Sequence, residues 1–166
     1  MKFFLAMALL MASVTTGNSQ LTPSQESQFC KVLLQLVESS RESFESIKNE
    51  RKKGVLELYY TSKVNLPTAA DTRIILRGDS WFLTSKLLEN KDRKKVEKDF
   101  ITFSNILKGC LKSWKSVAGE SVSSKGKSSG FKEAIDSECG PRVSLTMDEN
   151  PTHIGYYKVA ISIHSN

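Results

Sequence analysis

Apolar residues recur along this chain in two rhythms. From Thr22 onward the spacing is helical, with Phe29, Leu33, Leu36, Val37, Phe44 and Ile47 on one face. Thr22 is placed as an N-cap, Pro23 suits the first turn, and Gln25 completes a capping box. Arg51, Lys52 and Lys53 then crowd a last turn where the helix dipole favours cations, and Gly54 ends it. Three strands are predicted next, over residues 55–62, 73–77 and 80–87. Asn65-Leu66-Pro67-Thr68 breaks the first run, and Gly78-Asp79 is a two-residue linker of hairpin type. The helical rhythm returns over about 92–115 through Val96, Phe100, Phe103, Leu107, Cys110 and Trp114. Residues 116–130 turn into Ser, Gly and Lys and read as a flexible surface loop. Residues 131–137 are ambiguous, with one or two helical turns. Two strands close the chain, at 142–147 and 156–164, the second alternating through Tyr157, Val159, Ile161 and Ile163. The order α-β-β-β-α-β-β predicts an α+β fold. Both long helices would pack on one face of an antiparallel five-stranded sheet.

The first nineteen residues do not belong to that pattern. Lys2 precedes an apolar run from Phe3 to Val14, too short to span a bilayer as a helix, and Gly17 and Ser19 fit a cleavage site before Gln20. Residues 1–19 therefore read as an export signal and 20–166 as a single domain, secreted or periplasmic. No later stretch of the sequence is apolar for long enough to cross a membrane as a helix. Without Lys2 the chain carries 23 Lys and Arg against 18 Asp and Glu, a net charge of +5. The basic residues are interspersed with acids almost everywhere, which argues against a nucleic-acid stripe.

Three cysteines follow the export segment: Cys30, Cys110 and Cys139. In an oxidising compartment an odd count points to one bridge and one spare thiol. The preferred pair is Cys110 with Cys139, which would close the Ser/Gly/Lys-rich loop and leave Cys30 a buried thiol on the first helix. Cys30 with Cys110 would join the start of one helix to the end of the other.

The export segment, Phe29-Cys30-Lys31, Phe44 with Ile47-Lys48, the strand leading to Leu66-Pro67, and Tyr157-Lys158-Val159 together resemble small uncharacterised exported proteins of Bacteroidetes-type bacteria. The helix-and-sheet layout is also similar to type III secretion chaperones. Neither resemblance implies an active site.

Catalytic signals are sparse. Ile74-Ile75-Leu76 before Gly78-Asp79-Ser80 resembles the nucleophile block of GDS-type esterases, and a serine hydrolase would pair Ser80 with His153 as base. The residue three before His153 is Asn150 rather than Asp, and a Gly-Asp hairpin turn explains the same residues. Arg77-Gly78-Asp79 matches an integrin-binding tripeptide, again explained by turn chemistry. Two histidines and three scattered cysteines offer no metal-ligand spacing, and nothing in the chain asks for a cofactor. Lys91, Arg93, Lys94, Lys95 and Lys98, with Lys86, Lys125 and Lys127, would weakly hold a polyanion or an envelope surface. Glu89, Asp92, Glu97 and Asp99 interleave with them and favour a solvated face. The strand aromatics are the stronger signal. Tyr59 and Tyr60 must face opposite sides of a sheet, so some of Tyr59, Trp81 and Tyr157 are expected on an open face. There they would bind a protein, a peptide or a small apolar ligand, or form a homodimer contact. The expected function is a non-enzymatic exported binding or interaction protein.

Overall fold

Thr22 begins the first helix, α1 (Pro23–Ser40), with the full capping box: its hydroxyl accepts from the Gln25 N–H, and the Gln25 side chain accepts from the Thr22 N–H. The computed structural model describes residues 21–54, 57–122, 128–136 and 140–165, with the backbone alone for 120–122 and 128–136. The export segment 1–19 lies outside the described residues, as do Lys125, Lys127 and Cys139.

The helix ends thirteen residues earlier than its apolar spacing predicts. Ser39 and Ser40 donate to the carbonyls of Leu36 and Val37 at 2.8 and 2.6 Å, competing with the helical ladder. Ser43 and Phe44 then adopt left-handed backbone, φ 56° and 63°. That conformation is costly for a bulky residue. It turns the chain so that Phe44 and Ile47, across the short 3₁₀ turn Glu45–Ile47, remain buried in the core. The basic run expected as the last helical turn is instead strand β1 (Lys48–Lys53), which pairs with β2 (Leu58–Ser62) through Arg51↔Tyr60 and Lys53↔Leu58.

Strands β3 (Asp71–Arg77) and β4 (Ser80–Asn90) form the predicted hairpin. Gly78 has φ 59° while Asp79 stays negative, so the turn is of type II′, whose twist matches the flanking strands. The second helix, α2 (Arg93–Cys110), starts at Asp92, whose carboxylate accepts from the Lys95 N–H at 3.1 Å.

The predicted loop at 116–130 is mostly a hairpin. Strand β5 (Lys115–Val122) pairs with β6 (Ser128–Asp136), and β6 pairs in turn with β7 (Arg142–Glu149). Ser, Gly and Lys are poor at signalling a strand. At a sheet margin, however, the backbone ladder can hold a segment with little apolar side-chain burial. Among the described residues, with β8 (Tyr157–His164), the sheet has eight strands rather than five, all antiparallel, in the order β1-β2-β3-β4-β8-β7-β6-β5. Each helix thus precedes a four-stranded meander, and the two meanders meet at β4 and β8.

Both helices cover one face, as the α+β expectation has it. Phe29, Leu33 and Leu36 of α1 and Phe103 and Leu107 of α2 pack with Leu83, Leu145, Val159, Ile161 and Ile163 of the sheet. Phe29 and Phe103 meet with ring centroids 5.9 Å apart. The helices are also tied covalently. Cys110 bonds Cys30, with Cα atoms 5.2 Å apart, and not Cys139. Cys30 is therefore no buried thiol: the helix crossing brings these two positions together, which a local loop-closing argument does not anticipate. Among the described residues no helix is long and apolar enough to cross a membrane.

Candidate functional site

Strand alternation decides what the helix-free face displays. Because Leu83, Ile161, Ile163 and Leu145 point to the helices, Thr84, Ala160, Ser162 and Thr146 point away from them. The pairings Arg73↔Thr84↔Ser162↔Ser144 and Asp71↔Lys86↔Ala160↔Thr146 run across four strands as two rows. A third row, Ile75↔Phe82↔His164, is extended by Tyr59 opposite Ile75. Together the middle rows floor a groove of about 390 Å³, with Ile75, Thr84, Ala160, Ser162 and Thr146 at its base.

Charges of both signs line its walls. Arg73 donates from Nε and Nη2 to Asp71 Oδ2 at 2.7 and 2.6 Å, and its guanidinium lies 4.7 Å from the Tyr59 ring centroid. The hydrogen bond to Asp71 raises the Arg73 pKa further, so this cation is permanent. Arg77 reaches Glu57 Oε2 at 3.3 Å. Lys158 stands between Glu89 on β4 and Asp148 on β7 by register.

A β-bulge shapes the far end. Lys86 pairs with Ala160 and Leu88 with Val159, so one extra residue sits on β4. The shift puts Lys86 and Glu89, three positions apart, on the same face, and Lys86 Nζ donates to Glu89 Oε2 at 3.0 Å. Glu89 Oε1 accepts from Asn150 Nδ2 at 2.7 Å and from His153 Nδ1 at 2.9 Å. The Lys86 and Asn150 hydrogen bonds, against an opposing desolvation, hold the Glu89 carboxyl down at about 2. Buried Asn150 in turn folds the β7–β8 loop: its Oδ1 accepts from the Thr152 N–H and Oγ1 at 3.1 and 2.9 Å. Asn150, Pro151 and Thr152 close that end of the groove.

The residues singled out from sequence do not assemble. Tyr59 reaches the open face as expected, but Trp81 and Tyr157 lie on the helix side at opposite ends of the sheet. Trp81 packs on Tyr60 with centroids 6.0 Å apart, under the Lys48 ammonium at 3.3 Å. Tyr157 lies under the Arg93 guanidinium at 5.6 Å. Ser80 opens β4, whereas His153 is bonded to Glu89 nine residues further along that strand, a span of about 30 Å. No Ser80–His153 dyad forms. Arg77 of the Arg-Gly-Asp tripeptide is paired with Glu57. In α2, Arg93 bonds Glu97 at 2.9 Å. Among the described residues no three His, Cys, Asp or Glu side chains converge as a metal site.

Phe82 and His164, packed edge to face at 4.6 Å, and the charged groove residues escaped the sequence reading. The signal was present in the alternation: once Leu83 and Ile163 are assigned inward, Phe82 and His164 must face out. No family model matches the chain, and comparison with curated proteins and with solved structures finds no match. The candidate site rests on geometry alone.

Proposed function

We propose that this chain is an exported, non-enzymatic binding protein that holds a polar ligand in the groove on the open face of its sheet. The observation that carries the reading is the division of labour between the two faces. One face is sealed by two helices joined by a disulfide, while the other keeps a groove of about 390 Å³ over a floor of hydroxyls. That volume suits a small ligand or a short segment of a larger one. Thr84, Thr146 and Ser162 offer hydroxyl donors and acceptors, and Arg73, Lys86 and Lys158 offer cations beside carboxylates. The lining favours a ligand bearing charged and hydrogen-bonding groups over the small apolar ligand expected from the strand aromatics.

Native mass spectrometry on protein recovered from its own host tests this. An adduct or hetero-complex is expected on the wild type, and it should be missing from Ser162→Phe, which fills the groove floor. A bare protein in both cases, or an adduct that survives Ser162→Phe, would refute the reading.

A further inference from the structure

We propose, independently of the groove, that the tip of the β7–β8 loop and the adjoining start of α2 dock onto an anionic phospholipid surface. Ile154, at the tip, is 89 % exposed, the highest value among the exposed large apolar residues of the described chain. Single exposed apolar side chains are ordinary. This one differs in how it is held and in what surrounds it.

The tip cannot easily fold back to hide Ile154. The Asn150 N–H donates to the Tyr156 carbonyl at 2.7 Å, and the Tyr156 N–H donates to the His153 carbonyl at 3.1 Å. Gly155, at φ 78°, donates its N–H to Glu149 Oε1 at 3.1 Å. The His153 and Tyr156 rings, flanking Ile154 in sequence, stack with centroids 3.7 Å apart. The tip is thus a fixed projection, with an exposed aliphatic side chain on a turn whose two flanking rings stack on each other.

Cations adjoin it on the side of α2. Lys91 Nζ lies 5.1 Å from the Tyr156 ring centroid and Arg93 5.6 Å from that of Tyr157, so the loop and the start of α2 form one surface. Over residues 89–99 five cations meet four carboxylates. Glu89 is taken up by Lys86, Asn150 and His153 and Asp99 is buried, so Asp92 and Glu97 are the acids that share the exposed face with the five cations. Lys91, Arg93, Lys94, Lys95 and Lys98 are all exposed. A soluble polyanion would use the cations and leave Ile154 in water. A bilayer uses both, with lipid phosphates for the cations and the headgroup–acyl boundary for Ile154 and the Tyr156 ring. Each cation near such a surface contributes about a fivefold gain in binding.

The test is co-sedimentation of the full chain with vesicles of phosphatidylcholine alone or with one-third phosphatidylglycerol. Wild type and variants all carry residues 1–19, so any contribution of that segment is common to each. Wild type is expected to favour the anionic vesicles by at least tenfold at low salt. Lys91→Glu/Lys94→Glu should abolish that preference, and Ile154→Asp should lower anionic-vesicle binding by roughly tenfold. Thermal melts unchanged from wild type certify that these exposed substitutions leave the fold intact. Equal binding to both vesicle types overturns the proposal. So does anionic-vesicle binding that Ile154→Asp leaves unchanged while the lysine changes lower it, since the surface would then read charge alone, as a polyanion site would.

Discussion

Breaking the bond between Cys30 and Cys110 is expected to remove a large part of the protein's stability, and the size follows from the topology. The two residues are 80 apart in sequence. Closing a loop of that length in the denatured chain corresponds to about 4.5 kcal/mol of lost chain entropy. A bridge from Cys110 to Cys139 would close only 29 residues, worth about 3.6 kcal/mol on the same relation. Those values are too close for magnitude alone to distinguish the pairings, so the pattern among variants carries the test. Cys30→Ala, Cys110→Ala and the double variant should each lose 3–4.5 kcal/mol, about the same amount, because either change breaks the one bond. Cys139→Ala should leave the bond intact. Urea unfolding followed by tryptophan fluorescence measures the loss, and peptide mapping without reductant identifies the bond. A loss of this size corresponds to a fall in melting temperature of roughly 10–18 °C. A double variant within about 1 kcal/mol of wild type would refute the loop-entropy reasoning. A Cys139→Ala variant that behaves like Cys30→Ala would refute the pairing.

Substitutions at two further positions test the rest of the frame. The Glu89 carboxyl is held down at about 2, below its ordinary value of 4.5, so its stabilisation is complete above pH 4.5 and disappears as pH falls from 4.5 towards 2. Glu89→Gln should therefore cost about 1–2 kcal/mol at pH 7, with the gap to wild type narrowing across that window in chemical unfolding; a gap equal at pH 6 and pH 3 would contradict this. At Gly78 nothing lies within 4 Å of an added Cβ, so Gly78→Val should cost about 1–2 kcal/mol through the positive φ alone, and Gly78→Asn less. A Val variant melting like wild type would exclude the type II′ turn.

The parts of the fold visible in the sequence are those where one rhythm serves one element. Phe29, Leu33, Leu36 and Val37 mark α1, and Tyr157, Val159, Ile161 and Ile163 mark β8, because each of these side chains faces the same core. The spacing misleads where two elements share that core. Phe44 and Ile47 continue the helical count of α1 by coincidence of register, although a left-handed turn separates them from it. Strand β1 has no apolar rhythm to find: Lys48-Asn49-Glu50-Arg51-Lys52-Lys53 is an edge strand, where charge protects the open ladder from pairing with other chains. The disulfide depends on where two helices cross. As for the groove, alternation assigns its floor residues to one face, but which of them align across strands depends on the bulge between Lys86 and Leu88.

That bulge links the two proposed surfaces. Without the extra residue, Glu89 would take the opposite parity to Lys86 and point toward the helices. Because it points out, it can hold Lys86 within the groove wall and, through Asn150 and His153, fix the loop that carries Ile154. Pro151 and Thr152 of that loop also close the groove. A ligand pressing on them would be felt at the same hydrogen bonds that orient the tip. Docking of the tip on a bilayer would in turn place this end of the groove at the headgroups. The proposed groove binding and the proposed docking at the tip would thus be separate interactions that share one carboxylate, with Glu89 the residue through which either would influence the other.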